Sequence, residues 1–136
     1  MIVLASEDIG NADPRALLVA VAAAQAVEHV GLPEASLNLA QAAIYLARAP
    51  KSNASYIALK EARGDVQERG NLRPPKALQS KGHPGVRLGK GKGYIYPHDD
   101  PRGFEVDNLP DELKGRTYYR PKDSGEESDR GDSGRD

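Results

Sequence analysis

The chain of 136 residues contains no cysteine, which excludes disulfide bonds and thiolate metal sites. Apolar runs long enough to span a membrane are also absent. The apolar run at Ile2–Ala5 lacks a basic leader and is far too short for a signal peptide or a membrane span. The net charge of −1 does not by itself indicate a partner. These absences predict a soluble intracellular protein with one domain and a modest core.

Alanine-rich segments with clear start and stop signals occupy residues 12–69. The first helix is predicted to begin at Asp13, a good N-cap, with Pro14 at the first helical position and a stop at Gly31. Its apolar residues run without a break over Ala16–Ala24, which is typical of a central, buried helix.

A second helix is predicted within residues 33–50, where Pro50 ends it. It carries one apolar stripe, formed by Leu37, Ala40, Ile44 and Ala47. A third helix is predicted through residues 54–70, with Ser52 or Asn53 as its cap. No internal repeat is visible.

The second half of the chain has a different composition. Residues 70–122 are rich in glycine and proline, which predicts an irregular segment with short strand or turn pieces, such as a strand at 94–96 and a helical turn at 109–115. Residues 123–136 have no apolar side chain, and their six acids and two arginines give a charge of −4. We therefore predict a domain over 1–122 and a disordered acidic tail over 123–136.

Three sequence patterns could indicate catalytic or metal chemistry, and each has a simpler interpretation. The glycine-rich run Gly89–Gly93 lacks the following Ser or Thr and the helix that a phosphate-binding loop requires. Glu7 and Asp8 follow an apolar run, as magnesium-binding acids can, but are better explained as carboxylates at a helix end or turn. Asp99 and Asp100 follow a histidine without a tight ligand spacing, which favours a turn. The sequence therefore predicts no catalytic, cofactor-binding or metal site.

One charged segment remains as a candidate site. Residues 69–98 contain seven cations and no acid, with tyrosines near the end of the segment. Cations in such a pattern could contact nucleic-acid phosphates, and the alternative is a solvated loop or pairing with acids of another subunit. The candidate DNA contacts are Arg73, Lys76, Lys81, Arg87, Lys90 and Lys92.

Four sequence stretches together are specific to a known family. They are Ser6–Pro14, Leu39–Asn53, Gly89–Asp99 and Leu109–Tyr119, which include "SEDIGNADP", "GKGKGYIYPHD" and "LPDELKGRTYY". Over residues 1–121 the chain resembles the C-terminal region of the replication-associated recombination protein A family. These are MgsA/RarA-type AAA+ ATPases, and the Werner-helicase-interacting protein is their eukaryotic relative.

This resemblance implies a fragment of a longer protein. Family members carry an N-terminal AAA+ module with Walker motifs, and no such motif stands in this chain. The C-terminal part is expected to be a helical, collar-like bundle of about three main helices that assembles the ATPase into tetramers, without catalysis of its own. The parent enzyme is expected to use ATP and magnesium and to act on DNA at stalled replication forks in the bacterial cytoplasm, near the nucleoid. A single-strand-binding protein is an expected partner. The alternative function is a DNA-binding module that uses residues 69–98.

Overall fold

The computed structural model describes residues 1–75, 78, 98, 101–104 and 108–129. Within these ranges the regular secondary structure is helical and no strand occurs, which confirms the prediction of a mainly α-helical chain. The strand predicted at 94–96 lies outside the described residues. The chain divides into two compact units: a helical unit, Met1–Gly64 with Thr117–Asp136, and an inserted unit, Asp65–Arg116.

The N-terminal segment is an irregular helix. Helix α1 spans Ile2–Leu4, and it continues through a π-helical turn at Ala5–Ile9 and a 3-10 turn at Gly10–Ala12. Gly10 has a φ of +54°, and a Cβ atom there would lie 2.7 Å from the backbone oxygen of Ser52. Glycine is therefore required where this segment passes the link before the last long helix. Glu7 and Asp8 lie in the π-helical turn, in agreement with the helix-end interpretation.

Three longer helices follow at the predicted places. They are α2 (Arg15–Val30), α3 (Ser36–Arg48) and α4 (Ala54–Arg69). Asp13 is the side-chain cap of α2, because its carboxylate accepts a hydrogen bond of 3.1 Å from the backbone N–H of Arg15. Ser52 caps α4 by accepting a bond of 3.3 Å from the backbone N–H of Ala54. Both caps confirm the sequence prediction.

The core of the helical unit consists mainly of small side chains. It is formed by Ala5 and Ile9 of the N-terminal segment, Ala16 and Ala20 of α2, and Leu46 of α3. Alanine at the contact allows helices to approach closely, so backbone and Cβ atoms supply much of the packing. Ile9 is fully buried and is the largest apolar side chain at the centre of the unit.

The prediction that α2 is a buried helix is wrong for this chain by itself. One face of α2 is buried, at Ala16, Ala20 and Ala23, whereas Leu18 is 68% exposed and Leu17 and Val21 are also exposed. The stripe predicted on α3 likewise faces outward: Leu37 is 77% exposed and Ile44 is 62% exposed, and the buried positions are Ala42 and Leu46. An uninterrupted apolar run does not indicate which face of a helix is buried. In this chain the buried face carries the smaller side chains.

The inserted unit contains the last turn of α4, a 3-10 turn at Pro101–Phe104 and another at Asp111–Leu113. The last of these confirms the helical turn predicted at 109–115. Asp65 is buried and accepts two hydrogen bonds from the guanidinium of Arg116, at 2.8 and 3.0 Å. Arg69 lies 3.6 Å from the same carboxylate, one helical turn along α4. Asp65 therefore pairs with both Arg69 and Arg116.

The C-terminal segment differs from the sequence prediction. Residues 123–129 belong to an ordered stretch that ends in helix α5 (Glu126–Asp129), and the side chain of Glu127 is only 1% exposed. The composition argument considered only hydrophobic burial, which this stretch lacks. Hydrogen bonds, ion pairs and one closely packed glycine hold it instead. Residues 130–136 lie outside the described residues.

Candidate functional site

The first candidate site is the exposed apolar surface of the helical unit. Large aliphatic side chains of α1, α2 and α3 point away from the core, whereas alanines point into it. A monomeric domain usually buries its largest aliphatic side chains. The exposed members on these three helices include Val3, Leu4, Leu17, Leu18, Val21, Leu37 and Ile44.

Helices α2 and α3 border an open groove on this surface. Val19, Ala22 and Ala23 line it on α2, and Asn38, Gln41 and Ala42 line it on α3. The small side chains leave room for an approaching helix or a large aliphatic side chain, and the two amides supply hydrogen-bonding groups at the α3 side. This shape and chemistry fit contact with another polypeptide better than chemistry on a small molecule.

The second candidate site is the place where the C-terminal segment docks. We call residues 117–129 the clasp. Glu127 is the centre of the contact: its carboxylate accepts hydrogen bonds from the hydroxyls of Tyr119 and Ser52 and from the backbone N–H of Lys122, the last at 3.1 Å. The Tyr119 hydroxyl in turn accepts a bond of 3.0 Å from the side-chain amide of Asn11. A buried carboxylate with this many donors satisfies its hydrogen-bonding capacity.

Ion pairs fix the clasp on both sides of Glu127. The guanidinium of Arg15 lies 3.1 Å from Glu126, and that of Arg120 contacts the carboxylate of Glu61 at 3.1 Å. The ammonium group of Lys122 also donates to the side-chain oxygen of Asn53. All of these contacts lie within the helical unit, and they join the clasp to the first turn of α2 and to the start and the middle of α4.

Asp13 forms a second buried carboxylate centre beside the clasp. It accepts hydrogen bonds from the hydroxyl of Tyr45 at 2.6 Å and from the side chain of Arg15 at 3.1 Å, in addition to the backbone bond that caps α2. Arg15 therefore lies between Asp13 and Glu126 and contacts both. Tyr45 ties α3 to the start of α2.

The charge states of the two buried carboxylates follow from these contacts. Burial raises the pKa of Asp13, but the hydrogen bonds from Tyr45 and Arg15 outweigh it, so the pKa lies below the ordinary value of 3.8. Burial likewise opposes the charge of Glu127, and the bonds from Ser52, Tyr119 and Lys122 bring its pKa below the ordinary 4.5. Because Tyr45 donates to Asp13, the pKa of its hydroxyl is raised above 10.0. Both carboxylates are charged at neutral pH.

These shifts predict a loss of stability in acid. A carboxyl group whose pKa is lower in the folded state stabilises the fold above its unfolded pKa, and this contribution is lost as the pH falls through the folded pKa. We expect the free energy of unfolding, from urea titrations at a series of pH values, to fall from about pH 5 downward. The double variant Asp13→Asn and Glu127→Gln should give a flatter pH dependence than the unaltered chain. An equal slope in both proteins would contradict the assignment of the two groups.

The residues predicted to contact DNA are mostly outside the described residues. Arg73 is described and lies exposed after α4. The other five, Lys76, Lys81, Arg87, Lys90 and Lys92, are not described, so their predicted DNA contacts stay predictions. Within the described ranges, no group of three His, Cys, Asp or Glu side chains could hold a metal ion, and no helix is both long and apolar enough to cross a bilayer.

Sequence reasoning missed the clasp, although two local signals were present. Asp123, Ser124 and Gly125 are turn formers, and two glutamates follow directly, as acids often do in the first turn of a helix. The contacts that dock the clasp join residues far apart along the chain: Asn11 bonds to Tyr119, and Gly125 lies against Ala12 and Pro50. Periodicity along the sequence carries no information about such contacts.

Comparison with known proteins decides the family. A model of the family described as "MgsA AAA+ ATPase C terminal" matches residues 1–134. The chain belongs to this family. The match continues beyond residue 122, where the sequence analysis placed the end of the domain, and it includes the clasp.

Relatives in bacteria and in a eukaryote show the same relationship. The chain is 49% identical over 129 residues to an AAA domain-containing protein of Mycobacterium tuberculosis, covering 93% of this chain and 28% of that protein. It is 47% identical over 128 residues to the replication-associated recombination protein A of Coxiella burnetii, covering 90% and 28%. It is 35% identical over 127 residues to the ATPase WRNIP1 of Dictyostelium discoideum, covering 90% and 14%. The chain therefore spans less than a third of the length of these relatives.

Proposed function

We propose that this chain is the self-association domain of a longer AAA+ ATPase that acts in replication-associated recombination, and that it assembles as a tetramer. The family match and the names of the relatives support the parent protein. One observation carries the proposal of self-association: the large aliphatic side chains of α1, α2 and α3 are exposed, and alanines fill the core.

The amount of exposed apolar surface fits a protein interface. The exposed parts of the large aliphatic residues in Met1–Ile44 amount to on the order of 1,000 Å², and a standard interface takes about 800 Å² from each partner. A monomer rarely leaves a contiguous apolar patch larger than a few hundred Å² in water. The residues lie on three helices with different outward faces, which suits a subunit that contacts more than one neighbour, as a tetramer requires.

In this proposal the chain binds and positions subunits, and ATP hydrolysis belongs to the AAA+ module of the longer protein. The tetramer would bring four ATPase modules together, with ATP and magnesium bound by those modules. Work on DNA at stalled forks in the bacterial cytoplasm, and association with a single-strand-binding protein, are proposed for the whole protein. An ATPase assay on the 136-residue chain should give only the background rate, and turnover above it would contradict this division of roles.

The experiment that tests self-association is the molar mass of the isolated chain in solution. Light scattering coupled to gel filtration, at protein concentrations of tens of micromolar, should give four times the chain mass of 14.6 kDa. A mass of one chain at every concentration would contradict the proposal. A dimer would retain self-association and contradict the tetramer.

A second proposed function is DNA contact by residues 69–98, favoured by seven cations and no acid in that segment. Each phosphate contact releases counterions, so affinity for an oligonucleotide should fall steeply with salt. We expect the variant Lys90→Ala with Lys92→Ala to reduce affinity about 10-fold or more in fluorescence anisotropy with forked and single-stranded DNA at low salt. A control with two exposed cations outside the segment, Lys51→Ala and Lys60→Ala, should bind as the unaltered chain does. Absence of binding at low salt would exclude this function for the isolated chain.

A further inference from the structure

We propose that the clasp, residues 117–129, is a releasable strap: it docks on the helical unit through Gly125 and Glu127, and it opens while α2 and α3 stay folded.

The docked position is sterically specific because of Gly125. This residue has a φ of +55°, and a Cβ atom there would lie 2.2 Å from the backbone oxygen of Ala12 and 2.7 Å from Cγ of Pro50. Neither neighbour can move aside easily, since one is backbone and the other is a proline ring. Glycine therefore lets the clasp turn lie directly against the segment before α2 and the start of the α3–α4 link.

Glu127 fixes the clasp by hydrogen bonds. Its side chain is 1% exposed, and it joins the clasp residues Tyr119 and Lys122 to Ser52, the residue that caps α4. Ser52 accepts the N–H of Ala54 and donates to Glu127, so the capping side chain serves both α4 and the clasp. Charged hydrogen-bonded groups of this kind depend strongly on geometry and on the presence of every partner.

The chemistry of the clasp explains why it can open by itself. Residues 117–129 include no aliphatic side chain, so hydrophobic burial contributes little to docking. Helices α2 and α3 are held by apolar packing around Ile9 and Leu46, and the clasp takes no part in that cluster. Segments with few buried apolar contacts open at a lower free energy than the core elements beside them. Opening the clasp removes polar bonds at the start of α2 and α4 and leaves the alanine core intact.

Opening would also change what the helical unit presents to a partner. Arg15, Ser52 and Asn11 each make a contact to the clasp in the docked state. In the open state Ser52, which is buried beneath the clasp, becomes accessible, and the exposed donors Arg15 and Asn11 lose their clasp partners, beside the N-terminal ends of two 16-residue helices. The clasp thus controls access to a surface that is separate from the exposed aliphatic face of α2 and α3.

Hydrogen exchange of the whole 136-residue chain, followed by mass spectrometry, tests the proposal. In the unaltered chain the amides of the clasp should exchange more slowly than those of an unstructured peptide and faster than those in the middle of α2 and α3. In Gly125→Ala we expect exchange of the clasp to rise about tenfold or more, with α2 and α3 unchanged. Glu127→Gln should act in the same direction, since the charge that attracts the donors is lost.

Two controls separate the clasp contacts from general effects. Gly70→Ala places a Cβ at a similar positive φ of +70° but with no atom within 4 Å, so it tests backbone strain without the clash. Asp123→Asn removes one negative charge at an exposed position of the same segment. Neither control should change exchange of the clasp.

Each remaining result contradicts the proposal. If Gly125→Ala raised exchange equally in the clasp, α2 and α3, the clasp would be part of one cooperative unit with them. If Gly125→Ala left the clasp protected, or the clasp of the unaltered chain already exchanged like a free peptide, the docking contacts would not hold it. Cleavage after Glu127 by a glutamate-specific protease gives a second readout, and it should be slow in the unaltered chain and fast in Gly125→Ala.

Discussion

Placing a charge on the outward faces of both α2 and α3 should convert the proposed tetramer into monomers. In the double variant Leu18→Glu and Ile44→Glu, each new carboxylate stands where a large aliphatic side chain is now exposed. If these positions are buried between subunits, each unpaired charge costs about 2 kcal/mol or more, and together they weaken association roughly 1,000-fold. Sedimentation velocity at tens of micromolar should then show one species at the mass of a single chain.

The fold itself should survive this change, since neither residue belongs to the alanine core. Circular dichroism of the variant should therefore match that of the unaltered chain. The matched control is Gln25→Glu with Gln67→Glu, which adds the same charge at exposed polar positions on α2 and α4. The control should remain tetrameric. If the Leu18 and Ile44 variant also remained tetrameric, the subunit contacts would have to lie elsewhere than on these two faces.

Truncating Ile9 should destabilise the helical unit more than any other single aliphatic truncation in the N-terminal segment. Ile9 is fully buried, and most of the core cluster around it consists of alanines, which cannot extend into a cavity. We expect Ile9→Ala to lower the free energy of unfolding by about 3 kcal/mol, within the range known for cavities in packed cores. Urea denaturation measures this change, at one protein concentration for all variants because self-association adds to stability.

The control for the cavity is Val66→Ala, which removes two methyl groups from an exposed position on α4. It should change the free energy of unfolding by less than about 1 kcal/mol. If Ile9→Ala also changed the free energy of unfolding by less than about 1 kcal/mol, the core would be able to collapse around the missing atoms. Ile9 would then not be the centre of the unit.

Local signals were sufficient to predict the long helices. Asp13 and Ser52 are capping residues, Gly31 and Pro50 are stops, and each acts at the predicted place. These signals depend on backbone geometry and on hydrogen bonds between near neighbours, so they can be read from a few consecutive residues. The family resemblance in the sequence was likewise confirmed by the family match over residues 1–134.

The orientation of the helices could not be predicted in the same way. In α2 nearly every residue from Ala16 to Ala24 is apolar, so the sequence has no polar face to identify the solvent side. The alanines are buried because they allow the helices to pack closely, and Leu17, Leu18 and Val21 are exposed. That choice depends on the neighbouring helices and, in our proposal, on neighbouring subunits.

The clasp was missed for a different physical reason. Its last part belongs to residues 123–136, which have no apolar side chain and cannot be stabilised by hydrophobic burial, and composition therefore predicted disorder there. Its order comes from the fit of Gly125 against Ala12 and Pro50 and from the bonds to Glu127. The contacts of Gly125 connect residues 75 or more positions apart, and no local sequence pattern predicts them.

The molar mass of the unaltered chain is the most direct test of the central claim, which is that the exposed aliphatic faces of α1, α2 and α3 join subunits. Sedimentation equilibrium over a concentration series should show association to four chains of 14.6 kDa each at tens of micromolar. A single-chain mass at every concentration, with the helices intact by circular dichroism, would contradict the account.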